Sequence, residues 1–259
     1  MLGYKKYLPS SQHTPYQLYD ALTLKASAKS ADAVVVSSKL EYEDAVEFGI
    51  QKTKLHVIPM GVDVDEYVNN PINPSGDSIN ILFVGRIARV RRIEILLQAV
   101  AKLSIPFHVT LVGGEEKTSS LSRSGYLDEL KKLCKDLNIN NRVTFVGPVA
   151  QNELFNWYSK GDIFVYPSLY ENFGQPILEA AAAGLPIVSA PVGVAQEIIT
   201  DNETGFLFNG DDQELANRIT QLTDQNLRKK IGGAVRERVR SLYGWEGIIK
   251  QYLDLYRSL

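Results

Sequence analysis

Short apolar runs recur along the chain and rarely alternate with polar residues. They fall at Ala33–Val36, Leu55–Ile58, Ile79–Val84, His108–Val112, Arg142–Val146, Asp162–Tyr166, Pro186–Ala190 and Gly205–Phe208. Runs of this length that are apolar throughout fit strands covered on both faces, as in a parallel sheet. Most are separated by stretches whose apolar residues recur with helical spacing. Strand, loop and helix in regular succession predict an α/β fold with a doubly wound, Rossmann-like parallel sheet. Near the C-terminus Trp245, Ile248, Ile249, Tyr252, Leu255 and Tyr256 recur at spacings of three and four. They predict one helix with one apolar stripe, packed on the body.

The segment at 69–78 (NNPINPSGDS) interrupts this rhythm with Asn, Pro, Ser and Gly and reads as a linker. Six of the predicted strands lie downstream of it, enough for an independent domain over 79–242, followed by the C-terminal helix over 243–259. Only two lie upstream. Two parallel strands with their helices bury too little to stand alone, so 1–68 reads as the tail of a larger domain. The helix over 243–259 is expected to pack back on that part.

Composition narrows the classes. The 259 residues are 44% hydrophobic and 22% charged, which excludes disordered and fibrous chains. A formal net charge of −2 gives no basic excess for a nucleic-acid partner. The single cysteine, Cys134, excludes an internal disulfide framework, and His13, His56 and His108 are too scattered for a metal set. The longest uncharged run, Ala180 to Gln196, is interrupted by Pro186 and Pro191 and does not read as a membrane span. Lys5 and Lys6 precede no apolar stretch, so no signal peptide is expected. The expected setting is cytoplasmic, free or peripheral at the membrane.

Ligands of open α/β sheets bind beyond the carboxyl ends of the strands, so the chemistry is sought in the segments that follow them. After Ile79–Val84 come Gly85 and then Arg86, Arg89, Arg91 and Arg92, four arginines with no acid between them. Cations where a helix should begin oppose its dipole, whereas an anion such as phosphate is favoured there by free N–H groups and by the forked donors of Arg. Spacing alone does not say which arginines serve, although Arg86 and Arg91 are preferred. After Asp162–Tyr166 come Pro167, Ser168, Glu171, Asn172, Phe173, Gly174, Gln175 and Pro176. Pro176 suits the first position of a helix, which places Glu179 about one turn inside it, directed back toward the loop. A carboxylate there can accept from two neighbouring hydroxyls, as a ribose presents, and Glu171 can meet a second polyol.

The segment Glu171-Asn172-Phe173-Gly174-Gln175-Pro176-Ile177-Leu178-Glu179-Ala180 resembles the E-x7-E segment of retaining glycosyltransferases of the GT-B fold, glycosyltransferase family 4 (group 1). Other matches keep the family's order: Val84-Gly85-Arg86, Val143 to Gly147, Pro167-Ser168, Gly184 to Val188, Gly193 with Glu197, and Thr204 to Leu207. Arg91 stands where the family usually has lysine, and Arg92 where a small residue usually follows. The resemblance covers 33–259: a donor-binding domain plus the tail of the N-terminal, acceptor-side domain.

The resemblance implies a nucleotide-diphosphate-sugar donor and transfer with retention of anomeric configuration. Arg86 and Arg91, with the backbone of Gly85, would hold the diphosphate, and Glu179 the ribose. Glu171, with Asn172 and the backbone of Phe173, Gly174 and Gln175, would hold the sugar, and the main chain of Val146 and Gly147 would lie against the base. Glu171, Arg86 and Arg91 would stand nearest the reacting bond. No cofactor and no metal is implied, because fixed positive charge would stabilise the leaving diphosphate. The acceptor would be a glycan, lipid or polysaccharide. The expected function is a glycosyltransferase present as a fragment or half-enzyme, with another chain supplying the N-terminal domain in the second case. The alternative is a non-catalytic nucleotide-sugar-binding subunit of a split enzyme. Asp63-Val64-Asp65 mimics a metal-binding D-x-D but reads as turn chemistry. Cys134 reads as core.

Overall fold

A computed structural model describes residues 23–68, 78–115 and 125–259. All eight predicted strands are present among them: β1 Val34–Val36, β2 Leu55–Val57, β3 Ile79–Val84, β4 Phe107–Val112, β5 Val143–Gly147, β6 Ile163–Tyr166, β7 Ile187–Ser189 and β8 Phe206–Leu207. Strands β3 to β8 form one six-stranded sheet in the order β5-β4-β3-β6-β7-β8, and every pair is parallel. Residues 81–84 and 163–166 are buried without alternation, as expected for strands covered on both faces.

The helices make two layers. Ile93–Ala101 (α4) packs against Tyr126–Asp136 (α5) and Asp212–Gln221 (α9). Gln175–Ala183 (α7) packs against Val64–Val68 (α3), Leu154–Tyr158 (α6) and Gln225–Tyr243 (α10). Right-handed crossovers place the layers on opposite faces when the chain leaves β3 toward β4 and later returns to β6 on β3's other side. The strand order therefore reverses between β3 and β6, which opens a crevice at their carboxyl ends. Residues 177–183 of α7 are all buried, and Glu179 is the one charged residue among them. Cys134 of α5 lies in the same core, and burial pushes its thiol up to about 11.

Strands β1 and β2 form a separate two-stranded parallel sheet with Lys25–Ser30 (α1) and Lys39–Glu47 (α2). Among the described residues its buried cluster is Val36, Ile50 and Leu55. The C-terminal helix, Trp245–Ser258 (α11), splits its predicted stripe. Ile248 and Leu255 pack on Ile58, with Tyr252 beside them, whereas Trp245, Ile249 and Tyr256 remain 49–67% exposed. Residues at i, i+3 and i+4 form one stripe somewhat over about 100° wide, and the body covers only its Ile248–Leu255 edge. The predicted linker lies outside the described residues except for Ser78, and so does His13. Asp63 is the expected turn residue: its Oδ1 accepts from the N–H groups of Asp65 and Glu66, capping α3, while Asp65 pairs with Arg240 at 2.7 Å.

Candidate functional site

The arginine segment leaves β3 at the point where the sheet order reverses. Residues 89–91 make one 3-10 turn, and α4 begins only at Ile93, with Arg92 in the left-handed region at φ 50°. The four side chains go to four places. Arg86 is exposed. Arg89 pairs with Glu129 at 2.5 Å and lies over the Tyr126 ring. Arg92 turns away and donates to the carbonyl of Gly210 over 2.9 Å. Arg91 alone is buried, at 7% exposure, and it forms an ion pair with Glu171.

The Arg91–Glu171 pair is held from below by β6. Tyr166, the last residue of that strand, donates its hydroxyl to Glu171 Oε2 over 2.9 Å. Arg91 Nη1 reaches the same oxygen and also donates to Ser168 Oγ at 3.2 Å. The Ser168 hydroxyl faces the carbonyls of Val90 and Tyr170, tying the arginine turn to the loop after β6. Burial holds the Tyr166 phenol far above its usual range; nearby Arg91 opposes that rise and Glu171 adds to it, so the group remains a neutral donor.

Glu179 occupies a second, deeper position. It is 4% exposed, and burial raises its carboxyl above the ordinary value, against hydrogen bonds from Tyr158, Gln151 and Gln175. Tyr158 donates to Oε2 over 2.8 Å and Gln151 Nε2 to Oε1 over 3.2 Å. The phenol of Tyr158 is raised well above its usual range, again by burial and then by Glu179. Gln175 also donates from Nε2 to the carbonyl of Gly61 at 3.3 Å.

Glycines set how closely these loops approach. A Cβ on Gly113, after β4, would stand 1.9 Å from the Gly85 carbonyl oxygen, so the turns after β3 and β4 touch backbone to backbone. The N–H of Gly113 donates in turn to the Gly147 carbonyl over 2.9 Å, which brings the end of β5 alongside, with Val146 half-buried. Gly193, after β7, has φ 46°, and a Cβ there would lie 2.2 Å from the Phe173 carbonyl oxygen. The neighbouring Val194 N–H donates to that oxygen at 2.6 Å. The segment 171–174 is thus clamped between the end of β6 and the start of Ala195–Ile198 (α8).

The N-terminal part touches the same loop. Ser38 Oγ donates to the carbonyl of Asn172 at 2.6 Å, and Tyr170 Oη to Asp44 Oδ2 at 3.1 Å. Glu197 accepts from the Lys39 N–H on Oε1 and from the Tyr243 hydroxyl on Oε2. A cavity of about 180 Å3 lies between α2 and the Gly193 turn, lined by Lys39, Leu40, Glu43, Gly193, Gln196 and Glu197. Among the described residues no group of three or more His, Cys, Asp or Glu is placed to hold a metal ion. No helix among them is long and apolar enough to cross a membrane.

The structure therefore brings Arg91 and Glu171 into contact, and it sends Arg89 and Arg92 into packing roles. Sequence reasoning missed Tyr166, Tyr158 and Gln151. A tyrosine ending a buried strand or a short helix looks like core, and only the position of its hydroxyl tells otherwise.

A doubly wound parallel sheet whose charged loops meet at a switch point is the architecture of proteins that bind nucleotide-like ligands. Residues 67–238 match the family model described as glycosyl transferases group 1, and residues 3–66 match that of glycosyltransferase family 4. The chain belongs to the group 1 glycosyltransferases, and its fold is of the GT-B type. A D-inositol 3-phosphate glycosyltransferase of Corynebacterium urealyticum is 30% identical over 247 residues, covering 89% of this chain and 57% of its own. Sucrose-phosphate synthase from Thermosynechococcus elongatus superposes with a TM-score of 0.82 at 31% identity, covering 100% of this chain and 66% of that one. Anabaena HepE in complex with UDP and glucose superposes at 0.84 with 24% identity, over 98% of this chain and 70% of that one, a likeness of fold alone. The chain thus spans less than two thirds of the first two relatives.

Proposed function

We propose that this chain binds a nucleoside-diphosphate sugar and supplies the donor side of a retaining glycosyltransferase. The observation that carries this reading is the Arg91–Glu171 pair at the sheet's switch point, with Glu179 held one turn into the helix that follows. In this reading Arg86 and Arg91 take the diphosphate, Glu179 accepts from the ribose hydroxyls, and Glu171 with residues 172–175 takes the sugar. The backbone of Gly85, Val146 and Gly147 completes the nucleotide side.

The chemistry follows from charge. Breaking the bond between the anomeric carbon and the phosphate oxygen leaves the electron pair on the diphosphate. An arginine held before the reaction, as Arg91 is, stabilises that charge with little reorganisation, so the reading needs no metal. Glycan, lipid and polysaccharide acceptors all suit it. A binding subunit that relies on another chain for transfer would use the same donor contacts.

Calorimetric titration with UDP, GDP and ADP, with and without magnesium, tests the proposal. Binding of one nucleotide at micromolar affinity, independent of magnesium and lost in Glu179→Ala, is the expected result. A folded chain that binds none of the three, alone or as the glucose conjugate, would overturn it.

A further inference from the structure

Tyr166 touches both charged groups of the pair with different parts of one side chain. It is fully buried at the carboxyl end of β6. Its ring stacks on Phe83 of β3, with centroids 5.7 Å apart and planes 13° from parallel, and on Phe164 at 6.0 Å. Two stacked partners on the central strands leave the ring little freedom. The face of the ring lies 5.5 Å from the Arg91 guanidinium carbon, and the hydroxyl is 2.9 Å from Glu171 Oε2. An aromatic face attracts a cation, and a hydroxyl donates to an anion, so both contacts are favourable together. Arg91 and Tyr166 both aim at Oε2, which leaves Glu171 Oε1 as the oxygen without a hydrogen bond among the described residues.

Resting on the donor-site reading above, we propose that Tyr166 is the positioning residue that separates sugar recognition from diphosphate recognition. Its hydroxyl orients Glu171 so that Oε1 meets the sugar, and its ring supports Arg91 against the diphosphate. The two functions are separable because they use different atoms. Phenylalanine at this position keeps the stack and the support under Arg91 but removes the donor to Glu171. Leucine removes both.

The test uses the full chain, with UDP and three sugar conjugates as probes: UDP-glucose, UDP-galactose and UDP-N-acetylglucosamine. The guanosine or adenosine counterparts replace them where the titration selects that base. The wild type is expected to bind one conjugate more tightly than the bare nucleotide. Tyr166→Phe should leave the affinity for UDP within about twofold and weaken the preferred conjugate about tenfold, the scale of one hydrogen bond to a charged group. Tyr166→Leu should weaken both ligands. Adding Tyr166→Phe to Glu171→Gln should cost no further discrimination, because the hydroxyl acts through that carboxylate. Equal weakening of UDP and its conjugate in Tyr166→Phe would mean a packing role only and would overturn the proposal. So would an unchanged ratio, or a wild type that prefers no conjugate. A wild type that binds no nucleotide would instead overturn the donor-site reading, and this inference with it.

Discussion

The Tyr158 hydroxyl meets Glu179 Oε2 at 2.8 Å in a place where Tyr158 is fully buried and Glu179 nearly so. A carboxylate so placed suffers the desolvation cost of its charge, and hydrogen bonds return only part of it.

The pH dependence of stability should expose that cost. Burial raises the Glu179 carboxyl above its ordinary value of about 4.5. Between that value and the raised one, the folded chain holds a proton that the unfolded chain has released. Stability contributed at this site is therefore full below about pH 4.5 and falls as pH rises through the window. Glu179→Gln does not titrate, so its stability relative to the wild type should improve as pH rises above about 4.5 and then level off. The same variant should bind nucleotide at least tenfold more weakly, the scale of losing a charged acceptor. Urea denaturation from about pH 4 to about pH 8 measures the first effect. A difference that stays constant across the series would contradict it.

Arg91 and Glu171 should be strongly coupled. Their side chains are 9% and 19% exposed, and removing either strands the other in a poorly solvated place. Arg91→Ala is expected to cost about 2–4 kcal/mol, somewhat under the range for fully buried pairs. The double substitution Arg91→Ala, Glu171→Ala should cost less than the sum of its parts by about 1–3 kcal/mol. A double-mutant cycle by chemical denaturation gives both numbers, and simple additivity would mean that the pair is loose in solution.

Gly193→Ala should be costly for a reason confined to the loop clamp. A methyl group there would stand 2.2 Å from the Phe173 carbonyl at φ 46°. The backbone must shift, at about 2 kcal/mol or more, and the loop at 171–174 must shift with it. Gly247 supplies the control: it lies inside α11 and a Cβ there would meet nothing within 4 Å. Gly247→Ala should be neutral or stabilising by up to about 1 kcal/mol. Thermal melts of the two variants side by side make the comparison; equal melting temperatures would refute it.

Backbone amides of β1 and β2 should exchange with solvent sooner than those of β3, β4 and β6. Among the described residues the two-stranded sheet rests on a cluster of three buried side chains, and Val35 and Val57 on it are 38% and 43% exposed. Opening it costs little burial compared with opening the six-stranded sheet. Hydrogen exchange followed by mass spectrometry resolves the two sheets, and uniform protection would rule this out.

The sheet was legible because buried parallel strands are written as unbroken apolar runs. Every strand appears within a residue or two of its predicted span. The helix stripe at the C-terminus was legible as helix but not as a face, since Ile248 and Ile249 look alike until a neighbour covers one of them. The site was half legible. Position after a strand pointed to the arginine segment that meets the loop after β6. It could not choose among the arginines, because the acids that sort them, Glu129 and Glu171, lie 40 and 80 residues away. Tyr166 and Tyr158 were hidden for the same reason: their hydroxyl partners are fixed by the fold, not by spacing.

The oxygen of Ser38 joins two structures that the chain keeps far apart. It accepts from the Glu41 N–H at the start of α2 and gives its one hydrogen to the Asn172 carbonyl, 134 residues away. The first turn of α2 and the loop at 171–174 thus share one hydroxyl. Replacing Ser38 with alanine would therefore remove a helix cap and an anchor of that loop in a single step.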